Sequence, residues 1–221
     1  MKCVIFDMDG VILDSEPYSR KCWDDAGARM GLEHDRLHRA VMEIIGTNSA
    51  KSREIVCARC GDMPGFDYDR LLASSKELYR KIAMAGIPLK PGTREILTWL
   101  REQGIPTGLA SSTETGVVRE ELAASGILGD FDVIVGGDQV SRSKPDPEIF
   151  EVCAARLGML PQECWVVEDS YNGVRAGAAA GMQVFMIPDL LPATDEMRML
   201  ARVLPDLKAL LELAREQTER K

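Results

Sequence analysis

The chain has 221 residues and an ordinary globular composition, with 45% hydrophobic and 28% charged residues. Its 35 acidic and 27 basic residues give a net charge of −8. This charge argues against a nucleic-acid binder, because such proteins present a basic face to the phosphates. No apolar run approaches the roughly 20 residues that a membrane-spanning helix needs. Two acids interrupt the apolar start MKCVIFDMDG, unlike a secretory signal. We therefore expect a cytoplasmic protein without a membrane partner, with its six cysteines as reduced thiols.

Five short apolar runs have the length and the flanking residues of buried strands. They span residues 3–6, 107–110, 133–135, 164–167 and 184–187. Helical patterns separate the later runs, over 114–125, after the Asp146–Pro147 cap and over 172–180, and a last one covers 207–221. The alternation of strand and helix predicts an α/β fold with a doubly wound, parallel, Rossmann-like sheet.

Residues 15–86 lack a convincing buried strand and follow helical patterns instead. Helices are predicted near 16–30, 35–45, 50–59 and 69–85, with glycine and proline breaks between them. A compact insert of about 70 residues is favoured over a structureless loop of that length. We therefore predict an α/β catalytic core over 1–14 and 87–221, with a helical cap domain over 15–86 inserted after the first strand.

Polar side chains follow four of the predicted strands, where a parallel sheet gathers its ligands beyond the carboxyl ends. They are Asp7 and Asp9 after the first strand, Ser111 and Ser112 after the second, Asp138 after the third, and Glu168 and Asp169 after the fourth. Carboxylates that meet at one edge repel and raise one another's pKa. A hard divalent cation relieves this repulsion, and oxygen ligands favour Mg²⁺.

Asp7 and Asp9 form a D-x-D pair in a loop that Gly10 allows to turn tightly. One carboxylate can act as a nucleophile and the other as an acid and base. Lys144 could offset the charge of such acids and hold a phosphoryl oxygen. Each feature has a simpler interpretation, a solvated acidic loop for the pair and a surface residue for the lysine.

In chain order, the segments DMDGV, LASST, SKPDPEIF and VVEDSYNG resemble the four signature motifs of the haloacid dehalogenase superfamily. The resemblance covers residues 1 to about 187 and is closest to the phosphatase and phosphoglucomutase-like branch with a helical cap. It implies a Mg²⁺-dependent phosphomonoester hydrolase that forms an aspartyl-phosphate on a small phosphorylated metabolite, a sugar phosphate above all. We expect a monomer with no nucleic-acid partner.

The resemblance also implies a role for each matching residue. Asp7 is the implied nucleophile and a metal ligand, and Asp9 is the general acid and base and a metal ligand through its carbonyl. Ser111 is a donor to the phosphoryl group and Lys144 is the orienting charge. Asp169 is the principal metal ligand with Glu168 beside it, and the implied substrate contacts are Ser112, Gly46, Thr47 and Asn48. A plain break between helices is the alternative for the turn at 46–48. The acid at Asp9 argues against dehalogenases and phosphonatases, which lack it.

A sugar phosphate mutase of the β-phosphoglucomutase kind is the nearest alternative function. By resemblance, Ser49 and Ser19 stand where that mutase carries Arg and His, and neither serine can ion-pair a second phosphate. This favours a phosphatase, although Lys51, Arg53 and Arg20 are nearby cations.

A phospho-accepting signalling module is an alternative of a different class. Such receivers also combine acids, a hydroxyl residue and a lysine on a parallel sheet. Their acceptor follows the third strand, however, and no helical insert follows the first. Repeated phosphate release would identify an enzyme, because a receiver holds a single phosphoryl group.

Two residue pairs in the insert have no assigned role. Cys57 and Cys60 form a CxxC without a second pair, which favours core thiols over a zinc site. His34 and His38 are spaced to share one helix face, but Asp35 and Arg36 do not match an HExxH motif. We expect both histidines to be solvated.

Overall fold

The computed structural model describes residues 1–45, 47 and 49–219. The chain divides into two compact units, Met1–Asp14 with Pro88–Lys221, and Ser15–Ile87. The second boundary lies one residue beyond the position 86/87 that the glycine and proline pattern predicts.

The first unit is built on a six-stranded sheet in which every neighbouring pair of strands is parallel. The strands are β1 (Cys3–Phe6), β2 (Thr107–Ala110), β3 (Val133–Val135), β4 (Cys164–Glu168), β5 (Gln183–Met186) and β6 (Arg202–Val203). Their order across the sheet is β3-β2-β1-β4-β5-β6, so β1 and β4 lie at its centre. The predicted α/β fold with a doubly wound parallel sheet is confirmed, and β6 is an edge strand that the sequence patterns missed.

The described residues form ten α-helices. They are α1 (Glu16–Arg29), α2 (His34–Glu43), α3 (Ser49–Cys60), α4 (Tyr68–Ala83), α5 (Thr93–Glu102), α6 (Thr115–Ala124), α7 (Glu148–Arg156), α8 (Tyr171–Ala179), α9 (Asp195–Leu200) and α10 (Leu207–Glu219). The first four make up the second unit and the other six belong to the first. The sequence patterns missed α5 and α9.

Both faces of the central strands are buried, which explains why they are continuous apolar runs. Cys3 and Ile5 of β1 share one core cluster with Ile149 and Phe150 of α7. The intervening side chain of Val4 points to the opposite face and is also buried. The sheet is therefore covered on both sides, and its carboxyl edge is the place left for a site.

The second unit is a helical bundle in which α1 packs against α2 and α4, and α2 against α3. Its core includes Trp23, Leu37, Val56 and Leu71. Gly27 permits a close approach of α1 and α2, because a Cβ there would lie 2.1 Å from Leu37 Cδ2. The bundle therefore has its own apolar core.

All six cysteines are free thiols in the structure. Among the described helices, we find none with the length and apolar character that crossing a membrane requires.

Candidate active site

Asp7 continues β1 and Ser111 continues β2 at the carboxyl edge of the sheet. The Asp7 backbone N donates to the carbonyl O of Val167 in β4, at 2.9 Å. The Ser111 backbone N donates to the carbonyl O of Val135 in β3, at 3.0 Å. Asp169 directly follows β4. The sheet register therefore brings three of the predicted residues to adjacent positions on one edge.

Lys144 is buried between the acids, with 6% of its side chain exposed. Its Nζ donates to Asp7 Oδ1 at 2.5 Å, to Glu168 Oε1 at 2.6 Å and to the Ala110 carbonyl O at 3.0 Å. These three acceptors use the three N–H donors of the ammonium group. The geometry excludes the simpler interpretation of Lys144 as a surface residue.

Glu168 is held rigidly, with 1% of its side chain exposed. Its Oε2 accepts hydrogen bonds from the backbone N of Asp169 and Ser170, at 3.1 Å each, and from Ser170 Oγ at 3.0 Å. Gly173 makes room for the carboxylate, because a Cβ there would lie 1.8 Å from Oε1. Glu168 thereby fixes one side of the Lys144 ammonium.

Asp7, Glu168 and Asp169 form a cluster in which one carboxylate oxygen of each lies within 4.8 Å of the others. Gly10 passes close by with φ +76°, and a Cβ there would lie 2.4 Å from Asp169 Oδ2. Three hard oxygen donors at this spacing fit a magnesium ion, since Mg²⁺ prefers carboxylate, carbonyl and water ligands. The residues present are therefore suited to that metal.

The electrostatics of the cluster agree with a need for added positive charge. Burial raises the pKa of Asp7 to about 8, Lys144 opposes this rise, and Glu168 and Asp9 add to it. Burial by itself lowers the pKa of Lys144, but the charges of Asp7 and Glu168 reverse the effect and raise it. Lys144 is therefore a firmly protonated cation that does not balance all the surrounding carboxylates.

Asp9 lies in a tight loop directly after Asp7 and is partly exposed. The loop is closed by a hydrogen bond from the Gly10 backbone N to the Leu13 carbonyl O at 2.9 Å, and Asp9 forms an isolated bridge with Leu13. These backbone contacts therefore fix the position of the Asp9 Cα atom.

The two serines after β2 differ in exposure. Ser111 is buried, and its Oγ accepts a hydrogen bond from the Thr113 backbone N at 3.1 Å. Ser112 is exposed. Asp138, after β3, has a different function: its Oδ1 accepts from the Thr115 backbone N at 2.7 Å and from Thr115 Oγ1 at 2.6 Å. Asp138 therefore caps the start of α6 and is not part of the carboxylate cluster.

The predicted substrate contacts of the cap lie in the other unit. Thr47 Oγ1 donates to the Ile44 carbonyl O at 2.7 Å and shares a hydrogen bond with Ser52 Oγ at 2.8 Å. Gly46 and Asn48 lie outside the described residues. The Thr47 hydroxyl thus closes its own turn, and its contact with a substrate stays a prediction.

The sequence patterns missed a second charged group beside the cluster. Lys90 Nζ donates to Asp189 Oδ1 at 2.7 Å and lies 3.5 Å from Asp14 Oδ1. Asp189 Oδ2 is buried without a hydrogen-bond partner among the described residues, and lies 3.3 Å from where a Gly10 Cβ would be. Three segments far apart in the chain supply this group, so no local motif could have indicated it.

Comparisons with known proteins agree with the motifs. A model of the haloacid dehalogenase-like hydrolase family matches residues 1–181. Hexitol phosphatase B of Escherichia coli (strain K12) is 31% identical over 211 residues, which cover 95% of this chain and 92% of that protein. The fructose-1-phosphate phosphatase YqaB of the same strain is 31% identical over 180 residues, 81% of this chain and 92% of that protein.

A solved structure extends the similarity to the whole fold. The crystal structure of CbbY from Rhodobacter sphaeroides in complex with phosphate has a TM-score of 0.79 and 25% sequence identity, and it covers 95% of this chain and 96% of that one. With the family model matching residues 1–181 and the motif residues gathered at the carboxyl edge of the sheet, the chain belongs to the haloacid dehalogenase-like hydrolase family.

Proposed function

We propose that the protein is a Mg²⁺-dependent phosphatase that hydrolyses a small sugar phosphate through an aspartyl-phosphate on Asp7. The observation that carries the proposal is the buried contact of Lys144 with Asp7 and Glu168, beside Asp169. A carboxylate held against an ammonium group, at an edge suited to a divalent cation, matches what phosphoryl transfer requires.

Asp7 and Asp169 would hold Mg²⁺ with their carboxylates, and Asp9 with its backbone carbonyl, with Glu168 beside them. When bound, the ion supplies Lewis-acid chemistry and neutralises charge on the phosphoryl oxygens. Both oxygens of Glu168 already accept hydrogen bonds, so its larger contribution is to position Lys144.

The first half-reaction forms a bond between an Asp7 carboxylate oxygen and phosphorus, while the bond from phosphorus to the ester oxygen breaks. Asp9 donates its proton to that departing oxygen, which leaves as an alcohol. Lys144 and Ser111 stabilise the negative phosphoryl oxygens as the charge moves.

The second half-reaction regenerates the enzyme. Asp9, now a carboxylate, takes a proton from a water molecule, and the water oxygen bonds to phosphorus. The bond from phosphorus to the Asp7 oxygen breaks, and inorganic phosphate leaves. Asp7 and Asp9 return to their starting protonation states, so the cycle balances as hydrolysis.

A sugar or sugar-alcohol phosphate is the proposed substrate class. Two relatives are named for the hydrolysis of hexitol phosphates and of fructose 1-phosphate, and the similar CbbY structure holds phosphate. We propose that Ser112 and the turn of Gly46, Thr47 and Asn48 contact the substrate. A cytoplasmic location and a monomeric state stay predictions.

Two of the three cations considered for gripping a second phosphate, Lys51 and Arg53, pair with acids of the helical unit, which favours hydrolysis over the mutase reaction. Lys51 pairs with Glu54 at 2.8 Å. Arg53 makes two bonds to Asp69, at 2.6 and 2.9 Å, and stacks over the Tyr68 ring. Both charges are engaged within their own unit, which leaves less free positive charge to grip a second phosphate.

The test is a screen of phosphorylated sugars, sugar alcohols, nucleotides and small acids for released phosphate, with Asp7→Asn as the inactive control. We expect many phosphates per chain from at least one sugar or sugar-alcohol phosphate. Release of one phosphate per chain or fewer from every compound would contradict the proposal and favour the receiver-like alternative.

A second assay separates phosphatase from mutase. The enzyme is given β-glucose 1-phosphate with a trace of the 1,6-bisphosphate. Free phosphate should form faster than glucose 6-phosphate, and the reverse order would identify a mutase.

A further inference from the structure

Asp24, His34 and His38 meet on the surface of the helical unit, and the proposed hydrolysis uses none of them. Asp24 lies on α1, and the two histidines lie one turn apart on α2. The imidazole rings are stacked, with centroids 5.6 Å apart and planes inclined by 14°. One ligand atom of each residue lies within 4.8 Å of the other two.

The distances between these atoms are close to those of a metal site. Asp24 Oδ2 lies 3.0 Å from His38 Nδ1 and 3.9 Å from His34 Nε2. Zinc bonds of about 2.0–2.2 Å place neighbouring donors of a tetrahedral site about 3.3 Å apart. The two oxygen–nitrogen separations therefore lie within about 0.6 Å of coordinating distance, and the two histidine nitrogens lie within 4.8 Å of each other.

The surroundings orient the donors for such a role. His34 Nδ1 lies 3.0 Å from Asp35 Oδ1. A carboxylate only accepts, so Nδ1 carries the proton, and Nε2 of the neutral ring keeps its lone pair on the side of Asp24. A carboxylate behind a histidine in this way is the usual outer partner of a metal-binding imidazole.

Asp24 offers an oxygen that the protein itself does not use. Its Oδ1 is buried and has no hydrogen-bond partner among the residues that the structure describes. Both imidazoles lie against the other oxygen, Oδ2, so an ion there engages Oδ1 only where the carboxylate coordinates through both oxygens. The close approach of α1 and α2 at Gly27 holds Asp24 against α2.

We propose that Asp24, His34 and His38 bind a divalent transition-metal ion, for which Zn²⁺ is the probe. Two imidazoles and a carboxylate suit Zn²⁺, and water completes a four-coordinate site. The metal takes the place of the proton between His38 Nδ1 and Asp24 Oδ2: a neutral imidazole carries that proton on Nε2 instead, and an imidazolium releases one proton. The ion bridges α1 and α2 and stabilises the helical unit.

The test is calorimetric titration of untagged, reduced protein with Zn²⁺, in excess Mg²⁺ to occupy the acidic cluster of the sheet. We expect the double variant His34→Asn/His38→Asn to raise the Kd for one zinc ion at least about tenfold, and the single variant Asp24→Asn to do the same. Asp35→Ala should weaken binding by about tenfold through the orientation of His34. Asp25→Asn is the matched control, because Asp25 is adjacent but pairs with Lys21.

A second measurement needs no variant. The chain has two histidines, so an imidazole NMR spectrum reports on this site alone. Both ring signals should move or broaden together as Zn²⁺ is added, and the melting temperature should rise in the wild type but not in the double variant. The proposal would be overturned by ring signals that do not move, or by equal zinc isotherms for the wild type and the double variant. A loss of zinc affinity in Asp25→Asn equal to that of the site variants would also overturn it. Ion pairs would then be the role of the cluster.

Discussion

Replacing Lys144 by Met removes an ammonium group that lies between two buried carboxylates. The side chains of Lys144, Asp7 and Glu168 are 6%, 12% and 1% exposed, so water cannot take over the role of the lysine. Removing one partner of a buried ion pair costs about 3–5 kcal/mol of stability. For a chain of this size, each kcal/mol lowers the melting temperature by about 2–4 °C.

The matched control is Lys2→Met, which removes the same group from an exposed pair. Lys2 bonds Glu163 at 2.6 Å, but 62% of its side chain is exposed. Such surface pairs contribute about 1 kcal/mol or less. Differential scanning calorimetry without divalent cations should therefore show a much larger loss for Lys144→Met than for Lys2→Met.

The Lys144→Met defect should also depend on pH. In the folded protein, burial raises the pKa of Asp7 to about 8, and Lys144 limits that rise. Without the lysine the folded pKa lies still further above the unfolded value of about 4, so stability is retained at low pH and lost as pH rises. Up to about pH 8 both proteins lose this stability alike, so the deficit of the variant should grow only as pH rises from about 7 to about 9. A deficit that is flat over this range, or no larger than that of Lys2→Met, would refute the assignment of Lys144 as the neutralising charge.

Three further outcomes follow from the same geometry. Asp9→Asn should slow hydrolysis of an alkyl phosphate far more than that of nitrophenyl phosphate, because nitrophenol leaves without an acid; equal defects in kcat would count against Asp9 as the proton donor. Gly173→Ala should cost about 1–3 kcal/mol in chemical denaturation, because its Cβ would lie 1.8 Å from Glu168 Oε1. Gly116→Ala on α6, where nothing lies within 4 Å, should be neutral or stabilising. Chelation should abolish phosphate release and Mg²⁺ should restore it, while Ca²⁺, which takes more ligands at longer distances, should bind and inhibit; full activity in excess chelator would remove the metal from the proposal.

The elements that hold the site were predictable because their signals are local. The runs at Cys3–Phe6, Thr107–Ala110 and Val133–Val135 have the predicted bounds, since strands buried on both faces are uniformly apolar. The edge strand β6 was missed because Arg202–Val203 is too short to form an apolar run. Helix α9 was missed for the same reason, because its six residues are too few to show a helical repeat of apolar positions.

Local patterns predicted the residues of the candidate site that lie in a short segment with a fixed place on a strand. Asp7, Ser111 and Asp169 are of this kind. The contact of Lys144 with Asp7 joins residues 137 positions apart, and the bond between Lys90 and Asp189 joins residues 99 apart. Local spacing encodes neither contact: the motif resemblance implied the role of Lys144, whereas nothing in the sequence indicated the pair of Lys90 and Asp189. The Asp24, His34 and His38 cluster was missed for the same reason, because Asp24 lies on another helix.

The proposed hydrolysis requires Asp7 to carry the phosphoryl group during turnover. The most direct measurement quenches the enzyme in acid during hydrolysis, reduces the acyl phosphate with borohydride and locates the modified residue by peptide mass spectrometry. We predict modification at Asp7, its absence without substrate, and a loss of turnover of more than about 1,000-fold in Asp7→Asn, or about 4 kcal/mol of barrier. Modification at another residue, or near-normal turnover of a folded Asp7→Asn variant, would contradict the account.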